Sequence, residues 1–311
     1  MAKYVAKRLA MAAVTVFCIL FILFLLMQFM PGSPFNDEKL TEAQVAVIQA
    51  KYGLDQPFLV QFGNYLKNML TGDFGVSYAI QADVPITTLI GNRILISVQL
   101  GLQAAVLGTA VGLILGIVAA LKKHTWFDTL CTVISVIGVS LPSFVFALIL
   151  SYFLSYKNDI FPMMYSTEKG FVSTILPTLA LSVFTIASIA RYARTEMIEV
   201  MKEDYVTLAK AKGIPKAKLV VSHVLRNALI SIVTVLAPLV VNLMTGSLVV
   251  EKAFSIPGLG TLFVTAIQQN DYNVTMAIAF IYSVMFVLVM LFVDLLYGVI
   301  DPRIRLVKGG N

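Results

Sequence analysis

Charged residues are scarce in this chain of 311 residues. Asp, Glu, Lys and Arg make up 13% of it, about half the share found in soluble domains, whereas hydrophobic residues make up 59% and the mean hydropathy is +0.87. So few charges cannot cover the surface of a soluble globule of 34.0 kDa. The composition predicts a protein surrounded mostly by lipid, and it excludes a soluble enzyme and a disordered chain.

Cysteine and histidine are also rare. The two cysteines, Cys18 and Cys131, both lie in apolar runs, which excludes a secreted module held together by disulfides. The two histidines, His124 and His223, have no spacing typical of a metal site. We therefore expect no metal centre in this chain.

Catalytic motifs are missing from the sequence. It contains no G-x-x-x-x-G-K-[ST] phosphate-binding loop. Nothing supports a Ser-His-acid triad either, because Ser222 and His223 adjoin each other in a basic segment, where a place on a helix surface is the simpler role. We therefore expect no catalysis by this chain and no cofactor bound to it.

Six long apolar runs are present instead. A helix that crosses a bilayer needs about 20 such residues, and the first run is too long for a cleaved signal peptide. The sequence therefore predicts an all-α integral membrane protein with six transmembrane helices, at about 9–30, 98–121, 129–155, 174–190, 228–250 and 274–298.

The positive charges predict an orientation for these spans. Of the 23 Lys and Arg residues, 16 fall on the side of the two termini, and eight of these lie in the segment 191–227. Cytoplasmic loops carry the positive excess, so we expect both termini in the cytoplasm. This topology explains the net charge of +6 without a nucleic-acid partner.

The spans divide the chain into four parts. We predict a cytoplasmic N-terminus with the first span at 1–30, an extracytoplasmic insert at 31–97, a five-helix core at 98–298 and a cytoplasmic tail at 299–311. In the insert, Thr41 and Gln44 form a candidate capping box, Gly53 can end that helix, and an apolar stripe over 58–70 predicts a second helix. We interpret the insert as a cap on the bundle or membrane surface; guiding a ligand or docking an external partner is the alternative.

The segment 191–227, called the elbow below, is too organised for a simple connection. Residues 203–212 favour helix, Gly213 supplies the left-handed position that ends it, and Pro215 suits the first turn of a second helix over 216–229. One interpretation is a solvated positive corner. The other is a docking element whose lysines face an acidic partner or anionic lipid.

Ionisable side chains are nearly absent from the spans, which argues against an ion-coupled carrier. Prolines predict kinks in three spans, at Pro142, Pro177 and Pro238. Glycines spaced four apart predict close helix packing, with pathway lining as the alternative, at Gly108, Gly112 and Gly116. Uncharged polar residues are candidates for lining a transport pathway, with hydrogen bonding between helices as the alternative: Gln99, Gln103, Ser140, Ser188, Asn242 and Thr245.

Several motifs resemble the peptide-type ABC importer permeases, in order along nearly the whole chain. Three stretches of the elbow are similar to the family's EAA-type loop: Asp204 to Val206, Ala209 to Gly213 and His223 to Ala228. In the Glu-Ala-Ala pattern of that loop, Thr207 stands at the glutamate position and Ala209 is the one alanine kept. Further similar stretches are Tyr52 to Pro57, Gly72 to Gly75, Val250 to Gly260, Asp271-Tyr272 and Asp301 to Arg305.

The resemblance implies the fold of a type I ABC importer permease and several partners. These are a second homologous permease subunit, two cytoplasmic ATPase subunits that hold ATP and Mg, and an extracytoplasmic substrate-binding protein. The implied function is import of peptides, oligopeptides in our interpretation, by alternating access, while related permeases serve dipeptides, glutathione-like compounds or nickel chelates. The alternative is an ion-coupled secondary transporter or channel that acts without ATPases.

The resemblance also implies two groups of site residues. The ATPase-coupling loop would comprise Asp204, Tyr205, Thr207, Ala209, Ala211, Lys212, Gly213, Pro215, His223 and Arg226. An extracytoplasmic gate or docking loop would comprise Glu251, Phe254, Pro257, Gly258 and Gly260.

Overall fold

The computed structural model describes residues 2–29, 42–244 and 248–300. Thr41, Thr245 and the tail motif at 301–305, all singled out above, lie outside the described residues. Within the described ranges the chain is helical, with these bounds: α1 Ala2–Phe29, α2 Glu42–Tyr52, α3 Phe58–Leu70, α4 Ile86–Leu121, α5 Trp126–Ser140, α6 Ser143–Leu150, α7 Ile175–Val200, α8 Asp204–Ala211, α9 Lys216–Leu219, α10 Arg226–Met244, α11 Leu248–Ala253, α12 Leu259–Gln268 and α13 Tyr272–Ile300.

Prolines and glycines mark several helix ends. Helices α3, α6 and α9 each begin directly after a proline, namely Pro57, Pro142 and Pro215. A proline suits this position because its fixed φ leads into the helix and the first turn leaves its N–H groups without helical partners in any case. Gly53, with φ +69°, ends α2 as the sequence predicts.

Five helices in the described ranges are long and apolar enough to cross a membrane, at 9–29, 86–121, 170–200, 216–244 and 272–293. A sixth crossing requires α5 and α6 to act together as one span. The axis of α5 makes a bend of 104° with that of α6 and its π-helical extension Ser151–Tyr156. The prediction of one continuous third span over 129–155 is therefore wrong. Pro142 removes an N–H and forces Leu141 into an extended conformation (φ −89°, ψ 131°), so the helix breaks rather than kinks.

Two further helices differ from the sequence prediction. Helix α4 begins at Ile86, directly after Pro85 and twelve residues before the predicted span, so part of the predicted insert belongs to a long continuous helix. Helix α12, Leu259–Gln268, falls in a stretch predicted to be loop. Its Leu259, Leu262 and Ala266 are buried, which explains why this short apolar segment folds as helix.

The described chain divides into two compact units: residues up to 96 with 257–287, and residues 97–256 with those from 288 on. In the first unit, α3 packs on α1 through aromatic rings. The ring centroids of Phe21 and Phe24 lie between 5.2 and 6.0 Å from those of Phe58 and Phe62. Leu70, from the same predicted stripe, stays exposed.

The second unit has its core around α7 and the elbow. Small residues of α4 and α7 allow these helices to approach closely, and apolar residues of α8 to α10 pack on the C-terminal half of α7. The fully buried members of this core are Ile189, Ala193, Met197, Val224, Ala228 and Ile232.

Candidate functional site

The elbow contains a short helix, α8, which follows α7 and precedes α9 along the chain. Helix α8 buries Val206 and Ala209, which belong to the same core cluster as Met197, Val220 and Val224. Two large side chains of the same helix, Tyr205 and Leu208, are exposed, with 42% and 57% of their surface accessible. They leave an apolar surface on α8 that the described residues of this chain do not cover.

The other elbow residues singled out from the sequence differ in exposure. Ala209 is buried, so it positions α8 instead of offering a contact surface, and His223 is half-buried in a π-helical turn. The exposed members are Asp204, Tyr205, Thr207, Ala211, Lys212, Gly213, Pro215 and Arg226. Sequence reasoning missed Leu208, although its position three residues after Tyr205 places both on one helix face.

Gly213 sets the direction of the elbow. Its φ of +76° lies in the left-handed region, and the Ile214 N–H donates back to the carbonyl of Ala209 across it. A Cβ at this position would meet nothing within 4 Å, so the requirement for glycine comes from backbone conformation and not from space. Desolvation and the nearby Glu203 carboxylate raise the pKa of Tyr205 above its ordinary value.

An ion pair connects α5 to α7 at the start of the elbow. Both nitrogens Nε and Nη2 of Arg194 donate to the carboxylate of Asp128, at 2.5 and 2.8 Å, and the His124 N–H donates to the same carboxylate at 3.0 Å. Asp128 is 5% exposed. Sequence reasoning missed this pair, because the sequence alone does not link two residues that lie 66 positions apart.

The three glycines of α4 lie directly against α7. A Cβ on Gly108 would stand 2.7 Å from Thr185, one on Gly112 would stand 2.9 Å from the Ile186 carbonyl oxygen, and one on Gly116 would stand 2.6 Å from the Ala190 carbonyl oxygen. These distances are too short for any side chain, so the two backbones touch at all three positions.

The polar candidates for a pathway do not form a single row. Ser140 and Asn242 line one pocket at the α5–α6 break, and Gln103 lines a separate apolar pocket, where it accepts a hydrogen bond from Thr178 at 2.9 Å. Gln99 is exposed on α4, whereas Ser188 is buried in α7.

The residues around 251–256 are buried in the second unit. Glu251 is 3% exposed and accepts a hydrogen bond from Ser97 Oγ at 3.0 Å. Phe254 is 1% exposed, and its carbonyl accepts from the Tyr165 N–H at 2.8 Å. In the first unit, Gly258 is the residue before α12 and is buried, as is Gly260, while Pro257 is exposed.

Asp271 is the acceptor for a whole loop of the first unit. Its Oδ2 accepts from Ser77 Oγ at 2.5 Å and from the N–H groups of Tyr78, Ala79 and Ile80 at 3.0–3.1 Å. Asp271 is fully buried, and Asn273 Nδ2 adds a hydrogen bond to the Val76 carbonyl at 3.0 Å. The start of α13 is thus fixed to the loop 76–80.

These features define a class of protein. Helices long enough to cross a membrane and close glycine packing between two of them are those of an integral membrane protein with several spans. In the described part of the chain no group of three or more His, Cys, Asp and Glu could hold a metal ion.

The family follows from sequence comparison. Residues 112–306 match the model of the binding-protein-dependent transport system inner membrane component, and residues 1–88 match the model of the N-terminal part of such membrane components. The chain belongs to this family, and it is therefore an integral inner-membrane protein with several spans.

Curated relatives cover essentially the whole chain. The dipeptide transport system permease protein DppB of Lactococcus lactis is 41% identical over 306 residues, which is 98% of this chain and all of that protein. DppB of Bacillus subtilis is 41% identical over the full length of both chains, and the oligopeptide transport system permease protein OppB of Haemophilus influenzae is 36% identical over 98% of this chain.

A solved structure has the same fold. The inward-facing MetNI methionine ABC transporter contains a chain that aligns with a TM-score of 0.55 over 69% of this chain and 97% of its own length. The sequence identity is 14%, so this likeness concerns the fold alone. It agrees with the predicted type I importer permease architecture.

Proposed function

We propose that this chain is a membrane-spanning permease subunit of an ATP-driven importer that moves peptides into the cytoplasm. Family membership and full-length relatives that are dipeptide and oligopeptide permeases support this function. The observation that carries the proposal is the identity of 36–41% with peptide permeases over the whole chain. A secondary transporter that works alone is not favoured by any of these relatives.

The elbow is the proposed contact with the ATPase subunits. Tyr205 and Leu208 form an exposed apolar surface, and Val206 and Ala209 hold the helix against the core of the second unit. Rigid backing matters because a displaced α8 then moves α7 with it instead of sliding over it. Lysines on both sides of Gly213 supply counter-charges for an acidic groove on the partner.

The positive-inside distribution supports a cytoplasmic elbow and cytoplasmic termini. Eight Lys and Arg residues lie in the elbow alone. On this topology the insert and the stretch Glu251 to Gly260 lie on the outer side, where a substrate-binding protein would deliver peptide. Burial of Glu251 and Phe254 suits a closed gate better than a free docking loop.

Alternating access is the proposed mechanism. Closure of two ATPase subunits on ATP would push the elbow, and the Arg194–Asp128 pair would carry that movement from α7 to α5 and the broken span. A second homologous permease subunit would complete the pathway, and ATP and Mg would stay on the ATPases. This chain would supply packing and hydrogen bonding but no catalytic group.

The proposal is tested by peptide uptake in a bacterial host without peptide uptake systems, expressing this chain together with its partner subunits. Uptake of labelled peptides of two to five residues should require this chain and should stop when ATP is depleted while the ion gradients are maintained. The peptide lengths accepted distinguish a dipeptide from an oligopeptide system. Uptake that continues without ATP would instead support the secondary transporter.

A further inference from the structure

The break between α5 and α6 opens a pocket of about 410 Å³ within the second unit. This volume is within the usual range for small-molecule sites, about 300–1,000 Å³. The break comes about 21 Å along the axis of α5 from Trp126, at 1.5 Å per residue. It lies between two helices that pass together as one apolar membrane span.

The wall of the pocket combines polar and apolar groups without any charge. Its polar side chains are Ser140, Ser143 and Asn242. The apolar part of the wall comes from α5, the break itself, α7 and α10: Val139, Leu141, Pro142, Leu181, Phe184 and Leu243.

The break also leaves backbone groups without partners. Pro142 has no N–H, and the bend removes the next N–H groups from the end of α5, so the carbonyls of Val139 and Ser140 accept no hydrogen bond from the described residues. The hydroxyls of Ser140 and Ser143 likewise have no hydrogen-bond partner among the described residues. Such groups are costly inside a membrane unless they line a cavity or meet a ligand.

We propose that this pocket is a subsite for the peptide main chain during translocation, an inference that rests on the function proposed above. The Val139 and Ser140 carbonyl oxygens can accept hydrogen bonds from peptide N–H groups, and the Ser140 hydroxyl can donate to a peptide carbonyl. Because no ionised group lines the pocket, recognition concerns the main chain and is indifferent to the peptide's side-chain charge. Broken membrane helices place substrate groups in the same way in other transporters.

The test uses a pair of variants that differ in one hydroxyl. Ser140→Val and Ser140→Thr have nearly the same shape, and Thr132→Val makes the same change on α5 outside the pocket, where Thr132 donates to the Asp128 carbonyl. The whole complex is placed in proteoliposomes, and initial uptake of alanine, leucine and lysine tripeptides is measured beside ATP hydrolysis stimulated by the binding protein.

Ser140→Val should lower the uptake per ATP hydrolysed by roughly two- to tenfold, by a similar factor for all three peptides. Ser140→Thr, which keeps the hydroxyl, should recover most of the uptake that Ser140→Val loses, whereas Thr132→Val should behave as the unsubstituted complex. Equal uptake by all variants would overturn the subsite while leaving peptide import intact, and an effect confined to one peptide would overturn main-chain recognition. Failure of the unsubstituted complex to import any peptide would instead reject the proposed function.

A second measurement covers the case in which Ser140→Val fails to assemble. A tripeptide that carries a benzophenone side chain is irradiated in the unsubstituted complex during turnover, and the labelled residues are identified by mass spectrometry. The subsite predicts ATP-dependent labelling of the pocket wall, within 139–143, at 181 or 184, or at 242–243. Labelling of this chain that leaves all of these residues unmodified would overturn it.

Discussion

Arg194 donates two hydrogen bonds to the carboxylate of Asp128, from Nε at 2.5 Å and from Nη2 at 2.8 Å. The pair joins the last turns of α7, where the elbow begins, to the first turn of α5. Helix α5 is the first half of the broken span. Asp128 is nearly fully buried and Arg194 is partly exposed. A two-nitrogen contact of this type fixes orientation as well as distance.

We expect strong coupling between these two residues. Asp128→Asn and Arg194→Gln should each lower the thermal stability of the purified chain, because each leaves a charged group without its counter-charge, at a cost of about 1.5–3 kcal/mol. The double variant should be more stable than the sum of the two losses predicts. Thermal unfolding of all four proteins in detergent measures this, and additive losses would contradict a direct interaction.

Asp271 should be essential for the loop 76–80. Asp271→Ala leaves three backbone N–H groups and a hydroxyl in a buried place without their acceptor, and each such donor costs about 1–3 kcal/mol. We expect a large drop in unfolding temperature and new protease cleavage within 72–85. Asp73→Ala is the matched control, since exposed Asp73 accepts one backbone hydrogen bond, from Gly75, and unchanged cleavage in both proteins would contradict this role.

Helix α4 offers a matched pair of glycines. Gly116→Ala would place a Cβ 2.6 Å from the Ala190 carbonyl oxygen and the Ala193 Cβ, and such overpacking costs about 1–3 kcal/mol. Gly91→Ala meets nothing within 4 Å and should be neutral or stabilising by up to about 1 kcal/mol, because alanine favours helix. Thermal unfolding compares the two, and equal effects would contradict close packing of α4 on α7.

The Lys51–Asp83 contact should depend on pH at both ends of the scale. Lys51 Nζ lies 2.8 Å from Asp83 Oδ1, and the Tyr52 hydroxyl donates to the same oxygen at 2.9 Å. The Lys51 ammonium and then the Tyr52 hydroxyl lower the pKa of Asp83, and the Asp83 carboxylate raises the pKa of Lys51. The contact's small contribution is present above the ordinary pKa of Asp, about 3.9, and is lost as pH falls through the lowered value.

At alkaline pH the contact's contribution to stability changes with pH in the opposite direction. The contribution is complete below the ordinary pKa of Lys, about 10.4, and is lost as pH rises through the raised value. Carbon-13 NMR of labelled aspartate, assigned with Asp83→Asn, should give a pKa for Asp83 below 3.9 that returns towards it in Lys51→Met. Asparagine is the suitable replacement because Asp83 has φ +63°. An unshifted pKa in the unsubstituted chain would contradict the contact.

The apolar runs were sufficient to predict most spans, because about 20 consecutive apolar residues have few other possible structures. Turn chemistry was sufficient for Gly53 and Gly213, both of which have positive φ at the predicted positions. These are local features, in which the residue itself determines the backbone.

The contacts that organise the candidate site could not be predicted in this way. Asp271 meets Ser77 across 194 residues and Arg194 meets Asp128 across 66, and a single sequence contains no signal for such pairs. Pro142 predicts a kink, and the structure has a break instead. Proline is compatible with a kink and with a break, and which of them forms depends on whether the next helical turn continues along the same axis. In the sequence, nothing distinguishes Leu208 from the other apolar residues. Its exposure became visible only in the structure, where α8 buries Val206 and Ala209 and leaves Leu208 uncovered.

The central claim is that ATP hydrolysis on partner subunits drives peptide import through the elbow of this chain. The most direct measurement is uptake of a labelled peptide by proteoliposomes that contain the whole complex, with Gly213→Val compared with Gly213→Asn. Asparagine tolerates the left-handed conformation at φ +76°, whereas valine does not. We predict ATP-dependent uptake by the unsubstituted and Gly213→Asn complexes, and loss of uptake and of binding-protein-stimulated ATP hydrolysis with Gly213→Val. Full ATP-driven import by Gly213→Val, or uptake driven by an ion gradient without the ATPases, would contradict the claim.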